Sequence, residues 1–246
     1  MKKLSTLKNI YFIGIGGIGM SAIARYFNER GVKIFGYDKT ETVLTNQLST
    51  EGMEICYEHN YKEPFPSDID LVIFTPAVPL SHPICTYFTN KDIPFMKRAE
   101  VLGLISKNMR TIAIGGTHGK TTTSSITTHL LKEGGIDCTA FLGGIVENFG
   151  GNYVAGNSDW VVIEADESLI VLFYIYILKL LPYYPQMPIT WIFMVPIIHL
   201  LKLDLNLLLL KRQKMVYFLC NILLPIIFHP LKINKLSELM RVTVGQ

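Results

Sequence analysis

"NIYFIGIGGIGMSAIARYFNERG", residues 9–31, decides the fold. A short apolar run is stopped by glycines, and the segment after it has helical spacing and ends on a glycine. Gly14-Ile15-Gly16-Gly17-Ile18-Gly19 fits G-x-G-x-x-G between a predicted strand and a predicted helix. Glycines at these points let the backbone turn tightly and approach a diphosphate, whose charge sits at the helix N-terminus. Asp38 closes the next predicted strand, "VKIFGYD", about twenty residues on, where a carboxylate can bind a ribose hydroxyl. The motif points to a diphosphate-bearing ligand and leaves NAD, FAD and a UDP-sugar open.

Outward from this unit the pattern stays that of an α/β protein. "TVLTNQLSTEG" predicts a second helix, "MEICY" a third strand, "DLVIFTPAV" a buried strand ended by proline, and "RAEVLGLIS" a further helix. After the polar joint "KNMR" the pattern restarts with strand "TIAIGG", a loop, helix "TTTSSITTHLLKEGG", and strands "CTAFLGG" and "WVVIEAD". Two successive strand–glycine loop–helix starts predict two nucleotide-handling domains joined near Asn108. The first is a Rossmann-like parallel-sheet domain over residues 1–107. The second, over 110–167, is the start of a P-loop ATPase-like domain.

The second loop, Gly115-Gly116-Thr117-His118-Gly119-Lys120-Thr121-Thr122-Thr123, is the more specific of the two. In a phosphate loop, backbone N–H groups and the helix dipole cradle the phosphates. Lys120 is then expected to lie across the β and γ phosphates, and the Thr121 hydroxyl to ligate Mg²⁺. The full G-x-x-x-x-G-K-[ST] spacing would place its first glycine at Ile114, so the shorter G-x-x-G-K-T from Gly116 is the better fit. His118 is given no catalytic role. "DWVVIEADE" brings carboxylates to a strand's C-terminal end, where α/β ligand sites gather, and Glu164 is the candidate metal ligand.

Composition changes along the chain. Up to Glu167 there are fifteen Lys and Arg against eighteen Asp and Glu, a net of −3. From Ser168 onward there are eight against two, a net of +6, and one glycine against eighteen before. The cations after the seam are scattered through an apolar stretch rather than clustered on a folded face, which argues against nucleic-acid binding. The four cysteines show no CxxC spacing and read as free thiols of a reducing compartment. "MKKLSTLKNIYFIGIGGIGM" opens like a signal peptide, but its glycines and the amphipathic segment after it mark a first strand and turn; a cytoplasmic location is expected.

"FIGIGGIGMSAIA", "MKRAEVLGLI", "GGTHGKTTT" and "VVIEADE", in this order and spacing, resemble the Mur ligase family at its UDP-N-acetylmuramate–L-alanine ligase branch, from Lys8 to Glu167. The resemblance implies an ATP-dependent ligase of peptidoglycan synthesis with UDP-N-acetylmuramate and L-alanine as substrates. ATP would phosphorylate the lactyl carboxylate, and the alanine amine would attack the acyl phosphate. It implies that Gly14, Gly16, Gly17, Ile18, Gly19 and Asp38 bind the UDP-sugar. Gly116, Thr117, Gly119, Lys120, Thr121 and Thr122 would bind ATP, with Lys120 as the catalytic cation and Thr121 and Glu164 holding magnesium. A ligase attaching a whole murein tripeptide and a nicotinamide-dependent oxidoreductase are the alternatives.

After "EADE" the family's polar, serine-bearing segment and its "DADHLDIYG" phrase are missing, yet both emerge from a shifted reading frame. Each hidden codon takes its first base from the wobble position of one visible codon and its last two from the next. "SLIVLF" (168–173) then reads Phe-Asp-Arg-Ser-Phe, and "QMPITWIFMVP" (186–196) reads Asp-Ala-Asp-His-Leu-Asp-Ile-Tyr-Gly-Thr. Three steps have no codon freedom: Met-Pro gives alanine, Trp-Ile aspartate and Met-Val glycine, each where the phrase needs it. A single-base frameshift near Glu167 is therefore expected, with residues 168–246 an irregular, out-of-frame apolar tail. No membrane span is expected, because the apolar runs fall short of the roughly twenty residues a helix needs. The chain as written is expected to be catalytically dead and its tail to aggregate.

Overall fold

In a computed structural model of the chain, strand β1 (Asn9–Ile13) lies at the centre of a five-stranded sheet. It pairs in parallel with β2 (Lys33–Asp38) on one side and β4 (Leu71–Phe74) on the other. β3 (Glu54–Tyr57) and β5 (Phe95–Lys97) complete the order β3-β2-β1-β4-β5, and every pairing is parallel. The structure describes residues 4–58, 65–91, 93–107, 109–115, 119–164 and 192–193.

A central parallel strand must be apolar on both faces, and β1 is. Ile10 and Phe12 face one core with Ile23 and Phe27 of α1 (Ile18–Asn28) and Val101 and Ile105 of α4 (Arg98–Lys107). Tyr11 and Ile13 face the opposite core with Ile84 and Phe88 of α3 (Pro83–Thr89). Between β2 and β3 runs α2 (Val43–Thr50), capped at Thr42, whose side chain accepts from the Thr45 N–H while Thr45 reaches back to the Thr42 N–H. The chain leaves β1 toward β2 and later returns to β4 on β1's other side. That reversal opens a crevice beyond the C-terminal ends of β1 and β4, where parallel sheets hold ligands.

The second sheet has the order β10-β6-β9-β7-β8. β6 (Arg110–Gly115) leads through α5 (Lys120–Glu133) to β7 (Thr139–Val146), which turns back into the antiparallel β8 (Gly151–Val154). β9 (Trp160–Glu164) then enters between β6 and β7, parallel to both. Helix α1 packs against β7 and β8 as well as its own sheet. Phe141, Tyr153, Val161 and Ile163 accordingly share one apolar cluster with Phe12 and Phe27. This double burial explains why Met20, Ser21, Ala22, Ile23, Ala24 and Phe27 of α1 are all buried.

Both sheets lie in one compact unit of Met1–Lys132 and Ile136–Val195. The other unit, Glu133–Gly135 with Pro196–Gln246, falls outside the described residues except for its first three. The α/β reading holds, and each predicted strand and helix before Glu164 has a counterpart. Three elements were not foreseen from the sequence: α3, β5 and β8. Within the stretch expected to be irregular, Ile192–Phe193 form β10, a two-residue strand parallel to Ile114 and Gly115. Without β10 the outer side of β6 would be a sheet edge, which an extended segment can cover.

Candidate functional site

The first glycine loop is built mostly to hold itself. Gly14 has a φ of +82°, and a Cβ there would run into the Thr75 side chain. The N–H groups of Gly14 and Ile15 both donate to the Tyr37 carbonyl, at 2.8 and 3.0 Å. The Gly16 N–H donates to Asp38 Oδ2 at 2.7 Å, and the Gly17 N–H to the Gly14 carbonyl at 3.3 Å. The amides of residues 14–17 are thus engaged within the loop. Ile18 and Gly19 open α1, and the first N–H groups of a helix have no intrahelical acceptor. These are the donors an anion would meet.

Asp38, expected at a ribose hydroxyl, braces the loop in this structure. One carboxylate oxygen accepts from Gly16 and the other from the Lys39 N–H at 2.8 Å. Gly16 is small because of this brace: a Cβ would lie 2.8 Å from Asp38 Oδ2 and equally close to Thr45 Cγ2. Beyond the ends of β2 and β3 the Tyr37 hydroxyl donates to Glu58, and His82 Nε2 lies 3.2 Å from the same carboxylate oxygen. The Tyr37 hydroxyl first, then His82, hold the Glu58 carboxyl below the usual glutamate range.

In the second loop Gly115 ends β6, and Gly116, Thr117 and His118 lie outside the described residues. Gly119 takes the left-handed conformation at φ +76°, and α5 starts at Lys120. The parallel register sets Glu164 opposite Ile114, so the carboxylate arrives beside the loop. The Thr121 hydroxyl donates to Glu164 Oε2 at 2.9 Å, and the Gly143 N–H donates to the same oxygen at 2.9 Å. A side chain at Gly143 would occupy the place of the Glu164 carboxylate. Thr122 is exposed.

A cleft of about 340 Å³ brings the two loops together, lined by Gly19, Thr75, Arg98, Lys120, Gly143 and Glu164 among others. Arg98 is the site residue that sequence reasoning missed. It opens α4 directly after β5, and its guanidinium covers Gly19, where a Cβ would lie 2.6 Å from Nη1. "MKRAEVLG" carried the signal, since an arginine at a strand-to-helix junction of a parallel sheet stands at its ligand end.

No group of three or more His, Cys, Asp or Glu among the described residues could hold a metal by itself. One hydroxyl and one carboxylate oxygen in contact at a phosphate loop are instead the donors a phosphate-bound Mg²⁺ requires, so the residues fit that ion. Burial raises the thiol pKa of Cys56 and Cys85 and pushes that of Cys138 up to about 11. No helix among the described residues is long and apolar enough to cross a membrane.

Two helix N-termini face one cleft, one behind a glycine turn and one carrying Lys120 and Thr121 beside the strand-end Glu164, an arrangement that fits an α/β protein of the phosphate-loop class. Residues 9–110 match the model of the Mur ligase family, catalytic domain. A UDP-N-acetylmuramate–L-alanine ligase of Flavobacterium johnsoniae is 52% identical over 168 residues, which are 67% of this chain and 37% of that protein. One of Parabacteroides distasonis is 53% identical over 163 residues, 64% of this chain and 35% of its own length. The crystal structure of the UDP-N-acetylmuramate-alanine ligase of Thermotoga maritima superposes with a TM-score of 0.60 at 38% identity, covering 65% of this chain and 37% of that one. A UDP-N-acetylmuramate:L-alanyl-γ-D-glutamyl-meso-diaminopimelate ligase of Neisseria meningitides follows at 0.57 and 26%, covering 66% and 53%. Over the stretch these relatives share, the chain is similar to ligases of the Mur family. It spans a little over a third of the length of the curated relatives, 37% for the first of them.

Proposed function

We propose that residues 1–167 carry the UDP-N-acetylmuramate-binding part and the first part of the ATP site of a cytoplasmic UDP-N-acetylmuramate–L-alanine ligase. The observation that carries this reading is the shared cleft, where Gly19 and Arg98 of one sheet face Lys120 and Glu164 of the other. Residues 1–107 would form the UDP-sugar domain and 110–167 the start of the ATP domain. Alanine is favoured over a peptide as the amine because, among solved structures, identity is 38% to an alanine ligase and 26% to a peptide ligase.

The chain's own residues then divide the work. The Ile18 and Gly19 N–H groups, with the positive end of α1, receive the diphosphate, while Gly14 and Gly16 let the loop close beneath it. Gly116, Thr117, Gly119 and Thr122 border the ATP phosphates, and Lys120 neutralises charge on the transferring group. Arg98 adds a second cation from the opposite wall. Thr121 and Glu164 would hold Mg²⁺, which supplies charge neutralisation at the phosphates when bound. Placing a carboxylate and a phosphoryl donor in one cleft contributes through proximity and orientation. Titration of the chain with UDP-N-acetylmuramate and, separately, with NADH tests the assignment. Binding of the UDP-sugar alone is expected, whereas binding of NADH alone would transfer the first loop to a nicotinamide enzyme.

Residues 168–246 are proposed to be read from a shifted frame. Support comes from the composition seam at Glu167, the three forced codon steps and the relatives' matches of 163 to 173 residues. Apart from Ile192–Phe193 this stretch lies outside the described residues. The chain as written should then release no phosphate from ATP in the presence of UDP-N-acetylmuramate and alanine. Resequencing the gene through the codons for Ala165 to Pro196 decides the matter. A one-base correction should open a longer frame encoding "FDRSF" and "DADHLDIYGT"; an unchanged gene would make the tail genuine protein, and codons that do not encode these phrases in the shifted frame would refute the shift.

A further inference from the structure

Asn152 is fully buried on β8, outside both glycine loops, and its amide is spent on the helix that carries the first. Its Nδ2 donates to the Ile18 carbonyl at 2.5 Å and to Ser21 Oγ at 2.9 Å. The Ser21 hydroxyl lies 3.0 Å from the carbonyls of both Gly17 and Ile18. On the other side Asn152 Oδ1 accepts from Arg25 Nη1 at 2.5 Å. Arg25 cannot turn away, because its Nε and Nη2 fork onto the Glu51 carboxylate at 2.8 to 3.0 Å. An arginine is only a donor, so it fixes the carbonyl end of the amide and thereby aims the NH₂ end at the first turn of α1.

We infer that Asn152 is a positioning residue for the anion-binding turn: from the second sheet, it fixes the orientation in which Ile18 and Gly19 present their N–H groups to the cleft. The inference rests on the proposed diphosphate role of that turn. The physical ground is that the loop amides of residues 14–17 are already engaged, which leaves the first helical N–H groups as the donors. Their direction is set by the peptide planes of the first turn, and Asn152 and Ser21 grip the carbonyls of those planes. The grip comes from another sheet, so it also ties a ligand at the first loop to the packing of β8 on α1. Tyr153, the next residue, makes a comparable bond at the far end of the same helix, where its hydroxyl donates to Glu29 at 2.9 Å. It provides the control: same hairpin, same helix, no contact with the first turn.

The test compares Asn152→Leu and Tyr153→Phe in the full chain with UDP as the probe. Asn152→Leu should weaken UDP binding about tenfold, since two directed hydrogen bonds at the turn are lost. Tyr153→Phe should leave affinity within about twofold of wild type even where it lowers the melting temperature. Asn152→Leu binding as tightly as wild type, or Tyr153→Phe weakening UDP just as much, would overturn the inference. Should Asn152→Leu not fold, Ser21→Ala removes only the inner part of the grip and is expected to weaken UDP about threefold. Failure of the wild type to bind UDP would count against the diphosphate reading alone. Hydrogen exchange of the Met20 and Ser21 amides then decides the positioning role without ligand: it should quicken in Asn152→Leu and not in Tyr153→Phe, and equal rates would contradict it.

Discussion

The two glycine loops of this molecule solve the same problem in different ways. Both place a helix N-terminus at the C-terminal end of a parallel strand. The first spends its loop amides on the Tyr37 carbonyl, the Asp38 carboxylate and Gly14, and brings no charge of its own to the ligand. The second puts a cation, a hydroxyl and a carboxylate within its first helical turn and the adjoining strand end. A rigid turn suits a diphosphate that is held and not transferred. A charged turn suits phosphates whose charge changes during reaction. The difference teaches that a glycine motif marks a shape, while the side chains after it decide the chemistry.

The sharpest way to break this comparison is Lys120→Ala. Loss of the cation should weaken ATP binding about 100-fold, or ~3 kcal/mol, while UDP affinity stays unchanged, as calorimetric titration would record. An equal loss for both ligands would mean that one site serves them. Next in size is Gly16→Ala. The added methyl meets Asp38 and Thr45, so the brace must open; a destabilisation of about 1–3 kcal/mol is expected by denaturant unfolding, with UDP binding weakened and ATP binding retained. Preserved UDP affinity in this variant would show that the brace is dispensable.

The smallest effect concerns the rim of the first sheet. Because the folded state holds the Glu58 carboxyl below its ordinary value of 4.5, its contribution to stability is present above that value and is lost as pH falls through the lowered one. Glu58→Gln should therefore flatten the acid limb of the stability–pH profile and leave the neutral plateau nearly unchanged. A steeper acid limb in the variant would reverse the sign of this account.

Much of the fold was legible because parallel strands advertise themselves. Leu71–Phe74 and Trp160–Ile163 are continuous apolar runs ended by turn residues or carboxylates. What was missed is short or locally disguised. α3 starts at a Pro and is capped by His82, whose Nδ1 accepts from the Ile84 N–H at 3.3 Å, a role no simple capping motif predicts. β5 is three residues long. β8 hides in "GGNYVAGNS", where glycines and asparagines read as loop, and the β7–β8 register is irregular between Phe141 and Val146. The site was legible where chemistry is carried by residue type at fixed spacing, as at Gly119-Lys120-Thr121. Arg98 and Asn152 escaped because their roles come from the sheets that bring them to α1. Asp38 is expected at a ribose hydroxyl, and its added bonds to Gly16 and Lys39, which leave lone pairs for that role, are not visible in the spacing.

The most direct test of the central claim is to titrate the purified chain with UDP-N-acetylmuramate in the absence and in the presence of saturating ATP with Mg²⁺. Two neighbouring but separate sites predict that the UDP-sugar binds in both cases and that Lys120→Ala weakens only ATP binding. Displacement of the UDP-sugar by ATP, or loss of both in Lys120→Ala, would contradict it.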